Sequence, residues 1–161
     1  MRKLIFLDID GVLNHHEGYK SGTCKYEYCE EYAGSYQRFE PHSKKLLNEL
    51  IQEFDTDIVI SSTWRSDGID RLSTIWKNEN MNRNIIGITP IMRSSYKNVQ
   101  YCVPRGFEIE IWLKNQGFYH INWSKEEQLK YCKESNIDQY LILDDDSDML
   151  YSQRNNFVHI R

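Results

Sequence analysis

The sequence predicts a single α/β domain of three layers, with helices covering both faces of a central, mostly parallel sheet. Three observations carry that reading. Short apolar runs rich in strand-forming residues recur at 4–7, 57–60, 84–88 and 140–143, and a fifth candidate at 157–160 closes the chain. These runs are near-continuous instead of alternating, which is the pattern of strands covered on both faces. Between them lie stretches of helical periodicity, and strands alternating with helices of this length imply parallel pairing.

Taken in order, the first run meets two aspartates and then a long polar stretch. Residues 14–40 are Tyr-rich, hold three glycines and show no clear period. A connection of that length is usually a lid or binding loop, so it is expected to be a flap inserted into the domain. A helix is expected over 41–54, where Leu46, Leu47, Leu50, Ile51 and Phe54 recur at helix spacing and Pro41 suits the first turn. After the second run, Ile69, Leu72, Ile75 and Trp76 predict a helix over 66–79, with Ser66 or Asp67 as its N-cap. Residues 89–104 read as a second irregular stretch, and Pro104 then opens a helix over 105–116 carrying Phe107, Ile111 and Leu113. Ser124 with Glu127 forms a capping box for a helix over 124–134.

A chain of 161 residues and 19.3 kDa has room for one core. With 40% hydrophobic and 27% charged residues, 8 Gly and 3 Pro, it is neither disordered nor of low complexity. Mean hydropathy is -0.69, and no window approaches the roughly 18 apolar residues of a membrane span. The opening MRKLIFLDIDG is not a signal peptide, so an intracellular, cytoplasmic protein is expected. Twenty Lys and Arg against 24 Asp and Glu give a net charge of -4, which disfavours broad, non-specific binding along nucleic acid. Cys24, Cys29, Cys102 and Cys132 contain no CxxC pair and read as reduced thiols, with only a weak zinc signal at Cys24 and Cys29.

The chemistry gathers where apolar runs end. The first run leads into Asp8-Ile9-Asp10-Gly11, two carboxylates at i and i+2 that a strand would point to one side, before a glycine that lets the chain turn. The carboxyl ends of parallel strands are where such sheets bind ligands. Paired carboxylates there can hold a hard cation such as Mg²⁺, or one can attack phosphorus while the other exchanges protons with the leaving group. The fourth run leads into Asp144-Asp145-Asp146-Ser147-Asp148, four aspartates in five residues. Such crowding is unfavourable unless a cation or water offsets the repulsion, and a metal shared with Asp8 and Asp10 accounts for both acidic strand ends. The second run leads into Ser61-Ser62-Thr63-Trp64-Arg65, hydroxyls before a helix with a guanidinium able to grip phosphate. Arg105, opening its helix, is the weakest of the four signals when taken alone.

In this order, DIDGVLN at 8–14, Ser61, Arg105 and DDDSD at 144–148 resemble the haloacid dehalogenase (HAD) superfamily of phosphatases, across nearly the whole chain. The wording looks most like the small HAD domains of multi-enzyme RNA-repair proteins. The resemblance implies a three-layer Rossmann-like domain with a minimal cap. It implies that Asp8 is the nucleophile forming an aspartyl-phosphate, and that Asp10 is the acid protonating the leaving oxygen and then the base activating water. Ser61 would bond the phosphoryl oxygens, with Ser62 and Arg65 as further substrate contacts, and Arg105 would offset charge at the nucleophile. Mg²⁺ would be held by Asp8, the backbone carbonyl of Asp10, and Asp145 with Asp144, while Asp148 would orient a metal-bound water or a ligand. A raised pKa within the carboxylate cluster would let Asp10 act as an acid. The substrate would be a nucleotide, a polynucleotide end or another small phosphomonoester. The chain stops soon after its last strand, where relatives often add a helix, so a dimer is an open expectation.

Other residues read less sharply. His15 and His16 follow the acid motif, but loop histidines are common. Tyr19, Tyr26, Tyr28, Tyr32 and Tyr36 can stack bases or simply pack. Trp64, Trp76 and Trp112 read as core, and Arg93 and Lys97 as solvated loop charges. The rival functions are a module that accepts phosphate on Asp8 without fast turnover, a non-catalytic binding protein, and a DxD glycosyltransferase. The last has too little chain before residue 8 for a nucleotide-binding half.

Overall fold

The computed structural model describes residues 2–14, 18, 20, 22, 25–96, 99–116 and 137–161. His15, His16, Tyr19, Cys24, Lys97, Cys132 and the helix expected over 124–134 lie outside the described residues. Each apolar run forms a strand: β1 (Arg2–Leu7), β4 (Thr56–Ile60), β5 (Ile85–Ile88), β8 (Ile137–Asp144) and β9 (Phe157–His159). They make one sheet in the order β5-β4-β1-β8-β9, every pairing parallel. β1 is central, with Leu7 in register with Ile60 on one side and Leu143 on the other.

The strand period of two divides the core between the sheet's faces. Ile5 and Leu7 of β1, with Ile58 and Ile60 of β4, meet the apolar stripes of α1 (Pro41–Phe54) and α2 (Ile69–Asn78) through Leu47, Ile51, Leu72, Ile75 and Trp76. Leu4, Phe6, Val59 and Ile142 face the other way, onto Ile109 and Trp112 of α3 (Arg105–Gln116). The three layers are therefore α1 and α2, sheet, and α3. α1 keeps the expected boundaries, with Pro41 in its first turn and the Glu40 carboxylate accepting from the Ser43 N–H at 2.7 Å. None of the described helices is long and apolar enough to cross a membrane.

Three expectations are corrected. Neither Ser66 nor Asp67 caps α2, because Ser62 caps a preceding 3-10 turn, Thr63–Asp67, that takes up both residues. α2 then starts after Gly68 without a side-chain cap, and Asp67 pairs with Arg71 at 3.2 Å. The stretch 14–40 contains an antiparallel hairpin, β2 (Tyr26–Cys29) with β3 (Gly34–Gln37), and 89–104 contains another, β6 (Arg93–Tyr96) with β7 (Val99–Cys102). The strands of the first hairpin reach the core only through Cys29 and Tyr36, and it turns through Ala33 in the left-handed region (φ 50°), where no Asn-Gly or Asp-Gly signal marks it. Of the described cysteines, Cys29 is buried and Cys102 exposed, and both are free thiols.

Candidate active site

All four sequence signals converge at the carboxyl end of the sheet. The Asp8 N–H donates to the Leu143 carbonyl and the Ser61 N–H to the Leu7 carbonyl, both at 2.9 Å. The ladder thus runs one residue past β1 and β4, setting Asp8 between Ser61 and Asp144. Asp8 is buried, and its Oδ1 accepts from Arg105 at 2.5 Å. Burial pushes its carboxyl above the ordinary value, while Arg105 and a hydrogen bond from Ser62 pull it back. Arg105 also lies 3.2 Å from Asp144 Oδ2, and these two acids outweigh the burial that works against its charge.

Asp8, Asp144 and Asp145 bring carboxylate oxygens within 4.8 Å of one another. Asp144 is fully buried, and its Oδ1 accepts from the Asp146 N–H at 2.9 Å. Its Oδ2 accepts no hydrogen bond from any described residue. Burial above all pushes this carboxyl up to about 7, with Asp8 and Asp145 adding to the rise against Arg105 and the Asp146 N–H. Arg105 meets the Asp8 and Asp144 carboxylates, and Asp145 brings a third carboxylate beside them, an acidic group that could hold a cation. The all-oxygen donor set suits Mg²⁺. Gly11 makes the close approach feasible: its φ is +81°, and a Cβ there would fall on the Asp145 carboxylate.

Asp148 stands apart from that trio. Its Oδ2 accepts from the Arg105 N–H at 2.8 Å, capping α3. It was expected beside the metal; here it anchors the helix that presents Arg105, and Gly106 allows the fit because a Cβ would collide with Leu150 and Gln153. Arg65 was expected on phosphate. It is buried, ion-paired to Glu108, and donates to the carbonyls of Ser61 and Ser62, the latter at 2.8 Å. It therefore braces the Ser61–Ser62 turn from behind. Ser61 Oγ, fully buried, has no hydrogen-bond partner among the described residues.

The two aspartates of the first motif do not point to one side of a strand, because β1 ends at Leu7. Asp10 is exposed in the following turn, its carboxylate lies outside the cluster, and its Oδ2 accepts from Trp64 Nε1 at 2.9 Å. Asp10, Gly11 and Trp64 line a cavity of about 630 Å³ that extends under the first hairpin to Tyr26, Tyr36 and Arg71. A second cavity, of about 420 Å³, is lined by Arg93, Arg105, Asp146 and Asp148.

A family model described as the HAD domain in Swiss Army Knife RNA repair proteins matches residues 4–161. The chain belongs to that family. Its parallel sheet between helices is the α/β, Rossmann-like architecture of a HAD domain. No curated protein and no solved structure matches it. In this HAD domain, sequence reading missed Glu108, which holds Arg65 and also accepts from the Met92 N–H at 2.8 Å. It also missed His159, whose Nε2 donates to the Asp145 carbonyl at 2.8 Å. Neither carries a local signal, since each acts through a partner distant in sequence. Trp64, expected in the core, packs against it half-buried and also gives its indole N–H to Asp10. Of the tyrosines, Tyr32 packs under Arg71 and Tyr36 is buried, while Tyr26 and Tyr28 are exposed.

Proposed function

We propose that the chain is a Mg²⁺-dependent phosphomonoesterase working through an aspartyl-phosphate on Asp8, with a nucleotide or polynucleotide end as substrate. The observation that carries this reading is the acidic group at Asp8: a buried carboxylate beside the Arg105 guanidinium, with oxygens of Asp144 and Asp145 gathered within 4.8 Å. Asp8, Asp144, Asp145 and the backbone carbonyl of Asp10 would hold the ion. When bound, Mg²⁺ supplies charge to the phosphoryl oxygens and quenches the repulsion among the carboxylates.

The chain's own groups then divide the work. An Asp8 oxygen attacks phosphorus, and the ester oxygen departs with a proton from Asp10. Asp10 next takes a proton from water as that water attacks phosphorus, which frees phosphate and restores the Asp8 carboxylate. Ser61 Oγ and Arg105 bind the phosphoryl oxygens, and charge stabilisation of this kind is the main catalytic term in phosphoryl transfer. The hairpin Tyr26–Gln37 serves as a small flap, leaving the site open to a group that reaches in from outside. The net charge of -4 favours a phosphate at an end over a grip along a polymer.

The test is phosphate release from an aryl phosphate, mononucleotides and oligonucleotides carrying a 5′ or 3′ phosphate, in Mg²⁺ and in EDTA. Release is expected in Mg²⁺ alone, with Asp8→Asn reducing it more than about 10³-fold. Near-normal turnover in Asp8→Asn overturns the covalent mechanism. No release from any substrate transfers the weight to a phosphate-accepting module, which beryllium fluoride trapped on Asp8 would reveal.

A further inference from the structure

We propose that Trp64 is the positioning residue of Asp10, reserving Oδ2 for the indole so that Oδ1 carries the exchanged proton. The inference rests on the phosphatase reading above. Asp10 is exposed, in a turn that pivots at Gly11, and left to itself its carboxylate would sample several rotamers. The Trp64 Nε1–H at 2.9 Å from Oδ2 removes that freedom.

The indole is itself well anchored. Trp64 lies in the 3-10 turn Thr63–Asp67, its N–H bonded to Ser62 Oγ at 3.4 Å. Its ring tilts against Phe39, with centroids 6.3 Å apart, and packs on the core beneath α2. Its neighbour Arg65 ties the same turn to Glu108 and to the carbonyls of Ser61 and Ser62. The acid–base group is thereby referenced to the turn that carries the phosphate-binding hydroxyl, which is what proton transfer at a defined distance requires. Among the described tryptophans the contrast is informative. Trp76 gives its N–H to the carbonyls of Asn82 and Arg83, and Trp112 packs edge-on against Phe6, so both serve the core.

The proton path balances with one oxygen held. In the first half-reaction the Oδ1 proton passes to the ester oxygen as its bond to phosphorus breaks. In the second, water gives a proton back to Oδ1 as its oxygen bonds phosphorus and the Asp8–phosphorus bond breaks. Oδ2 keeps its indole hydrogen bond throughout, so the turn has no need to rearrange between the halves.

Trp64→Phe keeps the ring and removes the N–H. Single-turnover release of a nucleoside from its monophosphate, which needs the proton, is expected to fall by about tenfold with KM little changed. Single-turnover release of p-nitrophenolate, which leaves without a proton, should change by less than about twofold. In an Asp10→Asn background Trp64→Phe should add nothing. The second readout is independent of turnover: the indole N–H resonance of Trp64 should move on Asp10→Asn. Equal losses on both substrates, additivity with Asp10→Asn, or an unmoved resonance each overturn the inference while the phosphatase reading stands. A wild-type protein without turnover overturns that reading, and the role with it, whatever the resonance does.

Discussion

Glu79 and Asp144 are both fully buried carboxylates, and they are treated in opposite ways. Glu79, just past the end of α2, meets Arg38 at 3.1 Å and Lys44 at 2.9 Å. Two cations, one directly after β3 and one in the first turn of α1, converge on it, so its charge is fully met. Asp144 shares one guanidinium with Asp8, and one of its oxygens accepts no hydrogen bond from any described residue. A buried charge without compensation is unfavourable by several kcal/mol. The chain supplies that compensation at Glu79 from its own side chains and leaves Asp144 short of it. Complete pairing marks a structural acid, whereas the under-paired group of Asp144, Asp8 and Asp145 could hold a cation.

Breaking the structural side should have the largest effect on stability. Glu79→Ala removes the ion pairs to Arg38, which keeps only Glu27, and to Lys44, and is expected to lower unfolding stability by about 2 kcal/mol, read by denaturant titration. Its Mg²⁺-induced thermal shift should match that of the wild-type protein. Loss of Mg²⁺ binding in this variant would mean that the two acids belong to one coupled network.

Breaking the functional side should do the reverse. Asp144→Asn removes a buried charge while keeping shape, so in EDTA the variant should melt no lower than wild type, and by the same logic a few degrees higher. What it loses is the response to metal. Where wild type gains about 2.7 kcal/mol at Mg²⁺ a hundredfold above its dissociation constant, the variant gains almost nothing. A variant that melts well below wild type in EDTA would show Asp144 to be structural after all.

This asymmetry explains what the sequence could reveal. Asp8, Ser61, Arg105 and Asp144 were legible because each ends an apolar run or opens a helix, and the ends of parallel strands converge by topology alone. The five strands and α1 were legible for the same local reason: burial on both faces imposes an apolar run on a strand, and burial on one face imposes a stripe on a helix. Whether an acid is paired depends instead on residues far away in sequence. Glu79 looks like any charge after a helix until Arg38 arrives from beyond β3, and Asp148 looks like a metal ligand until the N-terminus of α3 arrives to be capped. Arg65 and Trp64 sit side by side, and only tertiary contacts send one behind the Ser61–Ser62 turn and the other to Asp10. The first hairpin was hard to read because, of its strand residues, Cys29 and Tyr36 alone carry it onto the core, too few positions to impress an alternating pattern on the sequence.

The smallest expected effect is a pH dependence that separates the two acids without any change of residue. In the metal-free protein Asp144 titrates at about 7, chiefly because it is buried, against 3.8 as its ordinary value. Asp8 is shifted in the same direction. Between about pH 4 and pH 7 the folded chain therefore holds protons that the unfolded chain has released. Stability from this source must fall as pH rises through that window and is gone above it. Mg²⁺ competes with those same protons, so its stabilising effect must grow across the same interval. The melting temperature in EDTA is thus expected to drop by about 5 °C between pH 5 and pH 8, with saturating Mg²⁺ cancelling most of the drop. Asp144→Asn should flatten the EDTA profile. An EDTA profile that rises with pH in wild type would mean that Arg105 already satisfies the cluster, and the case for a cation at Asp8 would lose its physical basis.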